Sequence, residues 1–217
     1  MTSRRNVQDD VLDAARACVE AFGIRRTTLT DVARRAGVSR PTVYRRWPDV
    51  TSLVADLLTR ELCALLLANK SDQGELAGRD HLVLQAAGVL RSLLSHPLFT
   101  RIVDNEPELM ATYTFQRLGA GQEAALAMLR PEIEAGQHDG SIRGGHPESM
   151  ARMVLLAVQN TATSRRLTAD VMTEEQLVGE LSSLLDGYLA PRPPKGAATP
   201  PAADTATDDT QGEVLHR

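Results

Sequence analysis

Thr27-Thr28-Leu29-Thr30-Asp31-Val32-Ala33-Arg34-Arg35-Ala36-Gly37-Val38-Ser39-Arg40-Pro41-Thr42-Val43-Tyr44-Arg45-Arg46-Trp47 decides how this chain folds. Thr28 and Asp31 form a capping-box variant: the hydroxyl meets an orphan backbone N–H and the carboxylate sits near the positive helix end. Val32, Ala33 and Ala36 then give a short helix over 29–36 its buried stripe. Gly37 stands where the chain must turn sharply, a position that favours positive φ. Val38 fills the corner, Ser39 caps a second helix over 40–46, and Pro41 falls in a first turn that has no N–H partner to lose.

Helix, glycine turn and helix make a helix-turn-helix, whose second helix enters the major groove of double-stranded DNA. Arg40 is placed to grip guanine O6 and N7, and Thr42 offers a hydroxyl and a methyl to base edges. Thr28, Ser39, Pro41, Tyr44, Arg45 and Arg46 complete the expected DNA-binding set, chiefly as backbone contacts that add affinity. Pro48-Asp49 stops this helix and caps the next, whose first turn points free N–H groups outward.

The charge map agrees. The whole chain of 217 residues carries −4, yet residues 1–48 hold ten arginines against five carboxylates. A basic N-terminal module on an acidic body is expected when one end alone meets phosphate. Hydrophobic residues make up 42% and aromatics only 3%, so the core must rely on Leu, Val, Ala and Met, as in packed helices. Cys18 and Cys63 lie far apart inside apolar helical patterns, which suits buried small hydrophobes.

A helical period runs through the chain, and the expected class is all-α. Val7, Val11, Ala14, Ala15, Cys18 and Phe22 line a first helix that Gly23 ends. After the helix-turn-helix, helices are expected at about 50–67, 79–94, 97–103, 106–116, 119–136, 147–163 and 173–189. The chain divides into a DNA-binding domain over 1–48, a helical ligand-binding and dimerisation domain over 49–190, and a tail over 191–217. The tail, rich in Pro, Ala, Thr, Asp and Gly, is expected to be disordered.

Leu12-Asp13-Ala14-Ala15, Gly23, Thr27-Thr28, Val32-Ala33, Ala36-Gly37-Val38-Ser39, Thr42-Val43-Tyr44, Trp47 and Leu53 stand in one register. In this combination, over residues 8–57, the chain resembles the TetR family of bacterial transcriptional regulators. One position departs: where many members carry a phosphate-binding lysine at the start of the fourth helix, this chain has Val50.

The resemblance implies a homodimer on a palindromic operator, a small-molecule effector held in the body, and most often repression. Ligand-independent regulation or activation stays open. The stripes Met150, Met153, Val154, Ala157, Val158 and Leu177, Leu181, Leu184, Leu185, Tyr188 suit a four-helix dimer interface. Met110, Tyr113, Phe115, Gln116, Met128, Met153, Gln159 and Asn160 are candidates to line an adaptable pocket, Tyr113 and Asn160 foremost. No catalytic residue, metal or cofactor is expected: His81, His96, His138, His146 and His216 are scattered, and Gly119-Ala120-Gly121 lacks a preceding strand. With no signal-peptide pattern at Met1 and no apolar run of spanning length, a cytoplasmic protein without a membrane partner is expected.

Overall fold

The computed structural model describes residues 6–70, 78–106 and 118–191. Among these every regular element is helical and no strand occurs, as the periodicity predicts. All but the first residue of the expected helix at 106–116 and of the expected tail lie outside the described residues.

Helix α1 (Val7–Phe22) starts at Asn6, whose side chain accepts from Gln8 N at 3.2 Å, and ends at Gly23 with φ 82°. Its buried face holds Val11, Leu12, Ala14, Ala15, Cys18 and Val19. Val7 and Phe22, expected on that face, are 49% and 57% exposed because they occupy the two end turns. After a 3-10 turn at Ile24–Arg26 come α2 (Leu29–Ala36) and α3 (Arg40–Arg46). Gly37 between them adopts φ 69°, the left-handed conformation the turn requires, and Val38 N donates to Ala33 O at 3.1 Å.

The further described α-helices are α4 (Val50–Ala68), α5 (Gly78–Ser95), α6 (Pro97–Asn105), α7 (Ala120–His138), α8 (Pro147–Thr163) and α9 (Glu174–Leu189). Two hydrophobic cores result. The first joins α1, α2 and α3 to Leu53 and Leu57 of α4 and to Leu98 and Ile102 of α6. The second is built from α5, α7, α8 and α9 around Leu82, Leu90, Ile133, Val154 and Leu185. Each fully buried leucine contributes about 1.5–3 kcal/mol, so α4 is anchored firmly in the first core while its far half packs on α7.

The stripes expected to pair with a second copy are mostly spent within the chain. Met150, Val154 and Val158 of α8 and Leu177, Leu181 and Leu185 of α9 are buried in the second core. Met153, Leu156 and Leu184 instead stand 51%, 38% and 59% exposed on the outer faces of these helices.

Candidate nucleic-acid interface and effector cavity

Val43 and Trp47 are buried, which pins one face of α3 to α1 and α2 and turns the opposite face outward. That outer face carries Arg40, Pro41, Tyr44 and Arg45, all exposed, with Thr42 half-buried at its edge. Ser39 Oγ accepts from Thr42 N at 3.4 Å and lies 2.8 Å from Thr42 Oγ1, so the cap also orients the threonine hydroxyl. Arg40 and Arg45 make no ion pair among the described residues. Arg46 is partly committed: its guanidinium lies 3.8 Å from Asp56 and over the Trp47 ring, whose Nε1 donates to the same carboxylate at 2.9 Å.

Thr28 caps α2 as the spacing predicts, accepting from Asp31 N at 3.1 Å and donating to Asp31 Oδ2 at 2.6 Å. A second cap guards α4: Ser52 N donates to Asp49 Oδ1 at 2.7 Å and Ser52 Oγ to Asp49 O at 2.8 Å. This helix start therefore bears a carboxylate, and Val50 beside it packs half-buried against the first core. No cation takes the place of the lysine that many TetR-type sequences carry there.

At the junction of head and body lies a charged cluster that the sequence did not announce. Glu61 of α4, buried, accepts from Arg16 Nη1 of α1 at 2.9 Å and from Arg60 Nη2 at 2.7 Å. Arg60 reaches on to Asp13 at 2.9 Å, and His96 Nε2 lies 3.5 Å from Glu61. Burial, with the Arg16 charge, pushes the His96 pKa below the usual histidine value, although Glu61 pulls the other way. His96 Nδ1 is buried without a hydrogen-bond partner among the described residues. No periodicity reveals this cluster, because its members come from α1, α4 and the junction between α5 and α6.

Between α4, α5, α6, α7 and α8 is a cavity of about 160 Å³, lined largely by Leu58, Leu62, Val89, Leu93, Phe99 and Leu155. Gly121 admits α7 close to α4: a Cβ there would come 2.9 Å from Leu62 Cδ2. Its polar groups are few. Gly119 N donates to Gln122 Oε1 at 2.7 Å, and Gln122 Nε2 donates to Gln159 Oε1. Arg165 also lines the cavity and pairs with Asp104 at 2.8 Å, and Arg166 pairs with the same carboxylate at 3.1 Å.

Of the sequence candidates for this pocket, Gln159 lines it. Met128, Met153 and Asn160 do not: Met153 and Asn160 fall on the outer face of α8, roughly opposite Leu155 and Val158, and Met128 is half-buried elsewhere on α7. Met110, Tyr113, Phe115 and Gln116 lie outside the described residues. Gln122 and Arg165 escaped notice because a polar residue inside an apolar pattern reads as surface.

Comparison with known proteins agrees with this arrangement. Residues 11–57 match the family model described as bacterial regulatory proteins, tetR family. The HTH-type transcriptional regulator Mb2274c of Mycobacterium bovis is 38% identical over 179 residues, covering 82% of this chain and 92% of the relative. A TetR-family transcriptional regulator from a Rhodococcus species shares the fold, with TM-score 0.64 at 21% identity over 85% of this chain and 98% of that one. So does the fatty acid degradation regulator FadR from Bacillus halodurans, with TM-score 0.63 at 16% identity over 85% and 96%.

Proposed function

This chain belongs to the TetR family of bacterial DNA-binding transcriptional regulators, and from that premise we propose that it is a ligand-responsive repressor acting as a homodimer on a palindromic operator. Residues 1–48 read the DNA and residues 49–190 sense and dimerise. In each head Arg40 and Thr42 read base edges, while Thr28, Ser39, Pro41, Tyr44, Arg45 and Arg46 hold the backbone. The exposed Met153, Leu156 and Leu184 supply the apolar surface for the second copy, which would otherwise stay in water. The reading assigns no catalytic step and places the protein in the cytoplasm with its DNA.

One observation carries the coupling. A single helix, α4, is fixed in the head core by Leu53, Val54 and Leu57 and borders the cavity with Leu58, Thr59 and Leu62. A small molecule that repacks the second set must shift the first, and Glu61 on the same helix grips α1. The effector then works only through a difference in affinity between the two arrangements: about 2.7 kcal/mol changes operator affinity roughly a hundredfold.

The test is fluorescence anisotropy on operator DNA with and without compounds that enter the cavity. At least one such compound should weaken binding tenfold or more. Identical operator affinity with every cavity-bound compound would remove the sensing part of the proposal and leave the DNA-binding part intact.

A further inference from the structure

We propose that the cavity takes a compact apolar carboxylic acid, its ring or short chain against Leu62, Leu93 and Leu155 and its carboxylate toward Gln159 and Arg165. The inference rests on reading the cavity as the effector site.

Its amides are oriented by the chain itself. Gly119 N–H requires an acceptor, so Gln122 presents Oε1 to it and turns Nε2 toward Gln159. Gln159 must answer with Oε1. Its own NH2 group is then left as a donor on the cavity wall, with no hydrogen-bond partner among the described residues. The other hydroxyls among the described wall residues are already used as donors: Thr59 Oγ1 donates to Ala55 O at 2.9 Å, and Thr163 Oγ1 to Gln159 O at 3.0 Å. The cavity thus asks for an acceptor.

Charge decides which acceptor. Among the described residues Arg165 and Arg166 share the one carboxylate of Asp104, two cations to one anion. Arg165 is well sheltered from solvent and Arg166 is not, with side chains 14% and 68% exposed. A sheltered positive charge and an amide donor lining one cavity favour an anion that brings its own oxygen acceptors. Size sets the remainder. A cavity of about 160 Å³ is near the volume that holds a benzene ring in an engineered core.

The probes are 3-phenylpropionate and its isosteric neutral amide, 3-phenylpropionamide, titrated calorimetrically at pH 7 into the full chain. The acid should bind at least tenfold more tightly than the amide. Gln159→Glu keeps an acceptor for Gln122 Nε2 but replaces the donor with a negative oxygen; it should reverse the preference. Arg165→Gln should reduce the acid preference while leaving the amide's affinity within about twofold, which a merely structural role for the arginine would not do. Ala162→Trp, which fills the cavity from α8, should abolish binding of both.

Equal affinities for the two probes, both lost in Ala162→Trp, would overturn the acid assignment and leave the effector site standing. Binding that survives Ala162→Trp, or no binding by either probe, would also overturn the assignment. The effector site itself falls only if compounds that weaken operator binding do so equally in Ala162→Trp.

Discussion

Arg45 and Val50 set the electrostatics of DNA binding in opposite senses. Arg45 is exposed and unpaired among the described residues, so its charge is available to phosphate. Arg45→Ala should reduce the slope of log affinity against log salt by about 0.9 for each phosphate released per subunit. An unchanged slope in a salt titration would show that Arg45 does not meet the backbone. Val50 is the reverse case: the start of α4 offers backbone N–H groups, but Asp49 occupies Ser52 N with a carboxylate. Val50→Lys should tighten operator binding and steepen the salt slope by a similar amount. Arg46 is a poorer donor to phosphate than its sequence neighbour, because Asp56 and Trp47 hold it back. The sequence identified Arg40, Tyr44, Arg45 and Arg46 as DNA-facing from the helix-turn-helix motif. It did not disclose Asp56, ten residues beyond Arg46 and on another helix.

The elements are stabilised at their ends more than by intrinsic preference. Gly37 holds φ 69°, and nothing lies within 4 Å of where a Cβ would stand. The cost of Gly37→Ala is therefore backbone strain alone, about 1–2 kcal/mol, and Gly37→Asn should cost less. Urea denaturation of the two variants measures the difference. Where α1, α4 and α6 meet, His96 makes stability depend on pH. Its folded pKa is lowered by burial and Arg16, so the unfolded chain takes up the proton first. The contribution is fully present above the ordinary histidine value of 6.5 and is lost as pH falls through the lower folded value. Facing charges are Arg16 and Glu20 on α1 and Glu61 on α4. Glu132 acts with the opposite sign, since burial raises its pKa and its contribution is lost as pH rises above 4.5. The difference in stability between the native chain and His96→Gln isolates the histidine: it should shrink as pH falls below 6.5. A difference independent of pH would mean that His96 does not titrate there. Helix positions were legible because caps and turn glycines act locally. The docking of Leu98 and Ile102 into the head core was not, because an apolar face at i and i+4 says that it is buried but not against what.

For the whole molecule, the outward apolar residues of α8 and α9 predict assembly. Leu184→Glu puts a charge where the chain's own core makes no demand, so the monomer should keep its fold while the dimer separates. Analytical ultracentrifugation should show a monomer, with operator binding weakened because a single head must bind alone. A dimer of unchanged stability would place the interface elsewhere. The stripes read from sequence fall mostly on faces buried within the chain, since one helical period cannot distinguish a core face from a partner face when both are apolar. In the proposed mechanism α3 reads a specific operator and α4 relates that act to the effector cavity. Footprinting on the DNA flanking the gene tests it most directly. The native chain should protect two inverted half-sites about one helical turn or a little more apart, and Arg40→Ala should lose about 1–3 kcal/mol of discrimination at one base pair in each. Protection without sequence preference, or a loss in Arg40→Ala spread evenly over all sequences, would contradict it.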